Sequence, residues 1–299
     1  MRNRHVTILT DRRYVNPEEN SAYIRNILLE DRLVRAALEE NGLRVERLSW
    51  DDPDTDWGDT EYILFRSTWD YFDRFPEFSA WLETVHGKTR MINPYKIIRW
   101  NLDKHYLQEL SESGINIPPT RFIEQGNRDT LTRWVKRSGW KEIILKPVVS
   151  GAARHTYRFH SGESLKFEPV FRKLIRQESM MIQEFQEKVP EAGEVAFMLI
   201  GGRFTHAVIK RARSGDFRVQ DDFGGTVHPY HPDKGEIDFA EKVIGQTGHN
   251  PTYARVDAIW DNRGEMAVSE LELIEPELWF RYFPRAAELL AKEIMDKYF

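Results

Sequence analysis

Apolar residues recur along this chain in two periods, and the switch between them divides it into parts. His5 to Thr10 carries a short apolar core of strand type. Ser21 to Asn41 places Ile24, Ile27, Leu28, Val34 and Leu38 at helical spacing before the helix-stopping Asn41-Gly42. Leu43 to Trp50 and Tyr62 to Ser67 read as further strands, with the acidic turn Asp51-Asp52-Pro53-Asp54 between them, and Phe75 to His86 reads as a helix. Such alternation predicts a small parallel α/β domain over residues 1–92, ending where the short strand at Met91-Ile92 meets Asn93-Pro94.

The pattern then changes. A helix is expected from Leu102 to Glu112, an extended piece from Pro118 to Ile123, a helix near Thr130 to Arg137 and an apolar strand from Glu142 to Pro147. A helix around Ser164 to Arg176 leads into a strand from Met180 to Phe185. Glu194 to Ile200 and Arg203 to Arg211 flank Gly201-Gly202, a pair suited to the positive φ angles of a tight hairpin. A helix from Asp233 to Gly245, strands at Tyr253 to Trp260 and Met266 to Ile274, and a helix from Arg285 to Lys297 complete the reading. The expected architecture is α/β followed by α+β, with residues 93–185 a smaller subdomain and 186–299 a larger, mostly antiparallel one.

Composition narrows the function. A chain of 299 residues exceeds what one hydrophobic core usually serves, so about two domains are expected. Its net charge of -5 gives no global attraction for nucleic acid or an anionic membrane, so any anion site must be local. The absence of cysteine removes disulfides, thiolate metal sites and thioester chemistry. The apolar run Val6 to Leu9 is too brief for a signal-peptide core or a membrane span, which leads to the expectation of a cytoplasmic protein.

The candidate chemistry sits on three kinds of segment. In the strand around Asp257, Arg255 and Asp257 share one face and Ala254, Val256 and Ala258 the other; Glu270 and Glu272 share a face of the next strand. Pairing through Asp261 to Gly264 would bring the three carboxylates together, where their repulsion calls for a cation such as magnesium. A solvated acidic edge strand is the plain alternative. Lys146 ends an apolar strand before the small-residue stretch Ser150-Gly151-Ala152-Ala153, which suits a loop over phosphates. Lys210, Arg211 and Arg218 are basic positions able to clamp a triphosphate, against the alternative of ordinary surface charge.

Taken in order, Lys104, Lys146-Pro147, Gln183-Glu184-Phe185, Gly193-Glu194, Lys210, Arg218, Asp257 and Glu270-Leu271-Glu272 resemble the ATP-grasp superfamily over roughly residues 93 to 299. The glutathione synthetase-like members are the most similar, with the branch that closes the D-cycloserine ring among them. The resemblance implies an ATP-grasp fold preceded by an α/β domain, and ATP with magnesium as cofactors, manganese being the alternative metal. Lys104 and Lys146 would touch the phosphates, with Ser150 and Gly151 in the loop above them. Gln183, Glu184 and Phe185 would hold adenine, and Glu194 would sit at the ribose.

Asp257, Glu270 and Glu272 would bind the metal, although the family pattern commonly ends in asparagine where Glu272 stands, and Lys210 and Arg218 would act in catalysis. The resemblance gives the N-terminal domain the acceptor substrate. There Arg66, Trp69 and Asp70 follow a strand at the end where α/β sheets place ligands, though Trp69 and Tyr71 fit a core role equally well. The implied activity is ADP-forming ligation of a carboxylate-type group to nitrogen on a small amino-acid-like substrate. The rivals are a RimK-like ligase acting on peptides or proteins, an ATP-grasp kinase, and a nucleotide-binding protein without turnover. No nucleic-acid or membrane partner is expected, and a homodimer is left open.

Overall fold

The computed structural model describes residues 4–19, 21–213 and 224–299. The first sheet contains β1 (His5–Thr10), β2 (Arg44–Ser49), β3 (Tyr62–Ser67) and β4 (Arg90–Ile92), parallel throughout and ordered β2-β1-β3-β4. Two helices connect these strands, α1 (Ala22–Glu40) and α2 (Phe75–Val85). α1 starts where the Ser21 hydroxyl accepts from the Ile24 backbone N–H, and the chain turns after it at Gly42 with φ of 79°.

Sequence reasoning placed one helix over 102–112; the structure has two shorter ones, α3 (Tyr95–Asn101) and α4 (Tyr106–Glu112). They are parted at Leu102–His105, where the Lys104 N–H donates to the Val148 carbonyl at 3.0 Å instead of to its own helix. The second sheet follows, built from β5 (Thr120–Ile123), β6 (Glu142–Pro147), β7 (Tyr157–His160) and β8 (Met180–Glu184). It is antiparallel in the order β5-β8-β6-β7, with α5 (Leu131–Ser138) and α6 (Ser164–Leu174) packed on it. β7 lies in a segment that carried no strand signal.

A single turn, α7 (Val189–Ala192), leads into the third sheet. This contains β9 (Glu194–Ile200), β10 (Arg203–Arg211), β11 (Thr226–Tyr230), β12 (Tyr253–Trp260) and β13 (Met266–Glu272), all antiparallel in the order β11-β10-β9-β12-β13. The β9–β10 turn at Gly201-Gly202 has φ of 56° and 75°, so its glycines serve the expected hairpin. The helix α8 (Lys234–Gln246) is closed at its start by a reciprocal capping box between Asp233 and Glu236. The last helix, α9 (Arg285–Tyr298), packs against α1, and Leu290 and Ile294 share one core with Val6, Ile8 and Val34 of the first sheet and its helix. Among the described residues, no helix is long and apolar enough to cross a membrane.

Candidate active site

The second and third sheets face each other across a cavity of about 560 Å³, within the range that holds small molecules. Period-two geometry decides what reaches it. On β6, Ile143 and Leu145 enter the core beneath α5 and α6, leaving Ile144 and Lys146 to face the cavity. On β12, Ala254, Val256 and Ala258 enter the opposite core, and Arg255, Asp257 and Ile259 line the cavity. β13 likewise turns Leu271 inward and presents Glu270 and Glu272. Asp257 stands directly across from Glu270, and Arg255 from Glu272, as the hairpin pairing required.

The clustered acids are neutralised by side chains of the chain itself. Asp257, 2% exposed, receives Lys210 at 2.9 Å and a two-pronged Arg255 guanidinium at 2.9 and 2.8 Å. Burial would raise its pKa, but Arg255 and Lys210 outweigh burial and hold it below the usual aspartate value. Lys210 also pairs with Glu194 at 2.5 Å. Glu270 takes Lys104 at 2.9 Å, and against the penalty of burial Lys104 and Lys146 keep it ionised more readily than an ordinary glutamate. Glu272 is held by Arg255, yet burial and the neighbouring Glu270 and Asp257 charges lift its pKa to about 7.

Lys104 is 6% exposed because the break between α3 and α4 turns it inward, where its ammonium also donates to the Ser150 carbonyl at 2.5 Å. Lys146 is different. Half-buried on β6, it has no hydrogen bond or ion pair with any described residue. Burial pushes its pKa below the usual lysine value, Glu270 opposing and Lys104 adding to the effect. Among the described charged groups that line the cavity, it is the cation without a carboxylate partner.

The loop after β6 carries Ser150 and Gly151 into the lining, with Ala152, Ala153 and His155 at φ of 46°, 54° and 49°. Side chains rarely adopt this left-handed region, and each such residue stores roughly 1–2 kcal/mol. Arg154 anchors the loop to Glu178 at 2.8 Å and to Asp73 at 3.1 Å. Gly151 fits closely under the N-terminal domain: an added Cβ would lie 2.6 Å from the Phe72 ring. Gly151→Ala therefore has to displace the loop or the Phe72 ring, and kcat/KM for a reaction run in this cavity is expected to fall by about 10- to 100-fold, the scale set by misplacing a contact near 1 Å. Steady-state kinetics with an unchanged melting temperature would check this.

Gln183 and Phe185 line the far end with Ile144 and Ile259, an apolar slot of the kind a base requires. Glu184 turns away toward Glu187 and Asp261 and is outside the lining. Glu194 lines the cavity and accepts from the Ser269 hydroxyl at 2.7 Å. Arg218 lies outside the described residues.

Two expected substrate residues are displaced. Arg66 is 3% exposed and absent from the lining: it donates to the Pro276 carbonyl at 3.1 Å and lies within 4.0 Å of Glu30 and 3.7 Å of Asp31, two buried acids of α1. Its charge is occupied inside the fold. Asp70 is likewise occupied, by the Trp50 indole at 2.8 Å and Arg74 at 2.9 Å. Trp69 does line the cavity. Sequence reasoning gave no role to Glu275 or Trp279, which line it too; their only signal was position just after the carboxylate strand.

A divalent metal fits the donor set in one specific way. Among the described residues no three acidic or histidine side chains stand ready as a cage. Asp257 and Glu270 face each other across the strand pair, and magnesium characteristically takes one or two carboxylates with phosphate and water oxygens. Those two residues would hold it, with Glu272 released from Arg255 as a third donor.

Comparison with known proteins bears on the fold. Residues 6–93 match the family described as D-cycloserine synthetase DcsG, N-terminal domain. The chain is 28% identical over 280 residues to the cycloserine biosynthesis protein DcsG of Streptomyces lavendulae, covering 86% of this chain and 89% of that one. The crystal structure of D-cycloserine synthetase DcsG superposes with a TM-score of 0.86 at 24% identity, over 98% of this chain and 99% of that one. A RimK domain ATP-grasp protein from Sphaerobacter thermophilus DSM 20745 superposes with a TM-score of 0.66 at 14% identity, over 97% and 99%. The chain has the ATP-grasp fold, and its residues 6–93 are similar to the DcsG N-terminal domain.

Proposed function

We propose that this enzyme is an ADP-forming ligase that uses ATP and a divalent metal, magnesium or manganese, to phosphorylate a carboxylate-type group of a small amino-acid-like substrate and then join it to nitrogen. The observation that carries the reading is Lys146: a partly desolvated ammonium without an anion, aimed at the side of the cavity where Asp257 and Glu270 face it. A polyphosphate would supply the missing negative charge, and a metal held by Asp257 and Glu270 would offset the repulsion between phosphate and carboxylates.

In this scheme the base lies in the slot of Ile144, Phe185 and Ile259, and the phosphates run toward Lys146 and Lys104. When bound, the metal neutralises charge on the phosphate oxygens. Lys104 and Lys146 orient the terminal phosphate, and Lys210, held by Asp257 and Glu194, meets the charge that develops on transfer. The substrate oxygen attacks that phosphate, giving an acyl phosphate or a related phosphorylated intermediate and ADP. An amine then displaces phosphate, and the loop after β6 shields the intermediate from water.

Incubating the protein with ATP, magnesium and a panel of amino acids and their ureido and hydroxyamino derivatives tests the reading. Substrate-dependent release of ADP and phosphate with a new C–N product is expected. ATP binding without stimulated phosphate release, or a stable phosphorylated product, would overturn it, and a strict requirement for a peptide acceptor would move the substrate class. Glu270→Gln is expected to raise the magnesium concentration needed for half-maximal activity by about 10- to 100-fold, the scale of weakened metal ligation. Its unfolding midpoint should fall modestly, because Lys104 loses its carboxylate partner and keeps the Ser150 carbonyl.

A further inference from the structure

One carboxylate in the cavity takes no part in the scheme above. Glu275 follows β13 on the strand's exit, is 9% exposed and lines the cavity, and its Oε2 has no hydrogen-bond partner among the described residues. A buried carboxylate oxygen left without a donor is costly, so its retention in a wall calls for an N–H donor from a ligand. The neighbouring groups leave that oxygen open: Lys104 is committed to Glu270 and the Ser150 carbonyl, and the Tyr71 hydroxyl, which favours the ionised carboxylate, does not reach Oε2.

The surroundings say what kind of donor fits. The Glu275 backbone carbonyl accepts from the Trp69 indole N–H at 3.0 Å, which ties that ring to the same stretch of cavity wall. Trp69 packs on Tyr14 and Tyr23, with ring centres 6.0 and 6.4 Å away, and all three rings line the same cavity. Aromatic faces beside a carboxylate recognise ammonium groups. The titratable groups around Glu275 are Glu270 and Glu272 of β13, Tyr71 after β3, Tyr253 of β12 and Lys104.

We propose that Glu275 is the acceptor-site residue of the ligase reaction: it receives the nitrogen nucleophile as a primary ammonium against the Trp69 wall and takes one proton from it. The inference rests on the ligase reading. The ammonium gives a proton to the Glu275 carboxylate, leaving a neutral amine and a carboxylic acid. The amine nitrogen attacks the acyl carbon of the acyl phosphate; the C–N bond forms, the C–O bond to phosphate breaks, and phosphate leaves with that electron pair and the second nitrogen proton. Burial and the Glu272 charge, opposed by Tyr71 and Lys104, place the Glu275 pKa at about 8 in the empty cavity. An arriving cation favours its ionised form, and the two proton affinities are then close enough for easy exchange.

The test compares parent and Glu275→Gln proteins with ATP, magnesium and the same panel, in the presence and absence of hydroxylamine. Hydroxylamine is largely neutral at pH 8 and intercepts an acyl phosphate without needing a base. The expected result is that Glu275→Gln loses C–N product formation from ammonium nucleophiles by about 100-fold, the lower range for a positioned base, and keeps hydroxamate formation within about threefold. Persisting hydroxamate also shows that the variant is folded. C–N product at the parent rate overturns the inference and leaves the ligase reading standing. Loss of hydroxamate with ATP affinity intact places Glu275 in the activation step and also overturns it. A parent protein that releases no ADP with any panel compound, with or without hydroxylamine, overturns the ligase reading and this inference with it.

Discussion

Lys146→Ala is expected to lower kcat/KM for ATP by about 100- to 1,000-fold, the usual loss when one preorganised charge is removed from a polar transition state, while the protein melts no lower than its parent. The two halves of this outcome share a cause. The ammonium is partly desolvated and makes no ion pair with described residues, so in the empty protein its burial penalty is offset only in part, by the Glu270 and Glu194 charges acting without contact. Removing it relieves that penalty and breaks no hydrogen bond, and Lys104 still neutralises Glu270. A bound polyphosphate gives the charge its strongest partner. Steady-state kinetics over a range of ATP concentrations, with a thermal melt of the same preparation, checks both halves. Unchanged ATP kinetics would remove the phosphate assignment, and a large drop in melting temperature would mean that Lys146 supports the fold.

Asp257→Asn is expected to have the opposite profile in stability, and an equally severe loss of activity. The asparagine keeps the shape of a side chain that is 2% exposed but gives Lys210 and Arg255 no counter-charge at their shared point. Breaking one partner of a buried ionic set costs about 3–5 kcal/mol, and the lower end is expected because Glu194 still reaches Lys210 and Glu272 still reaches Arg255. Metal-dependent turnover should fall below detection. Chemical denaturation of the variant without nucleotide isolates the first effect. An unfolding midpoint equal to the parent's would show that those two glutamates suffice, and that Asp257 is held for catalysis alone.

How the sequence betrayed this site is instructive residue by residue. The faces of β12 and β13 were legible because strand periodicity is local: apolar residues on alternate positions leave the charged ones no other side. Lys146 was legible only as a lysine ending an apolar strand before a small-residue loop, because Ile143, Ile144 and Leu145 form an unbroken apolar run; the packing of Ile143 and Leu145 in the core is what turns it to the cavity. Lys104 is a different case, since as part of an uninterrupted helix it would have been an ordinary surface lysine. What turns it inward is a tertiary hydrogen bond to Val148, which no local pattern announces.

Arg66 was misplaced for a related reason. Its position at the end of a parallel strand matches the usual ligand edge, but the acids that claim it are Glu30 and Asp31, on a helix face where periodicity alone predicts no charge. Glu275 escaped because its meaning depends on an unsatisfied oxygen, which exists only in three dimensions.

The shared core of α1, α9 and the first sheet has a consequence for how the chain acquires its structure. During synthesis the N-terminal strands emerge from the ribosome well before α9, so the apolar surface around Val6, Ile8 and Val34 lacks the cover of Leu290 and Ile294 for most of translation. An isolated fragment of residues 1–92 should therefore be sticky and poorly ordered, and deleting α9 should damage the opening domain more than the sheet that carries the carboxylates.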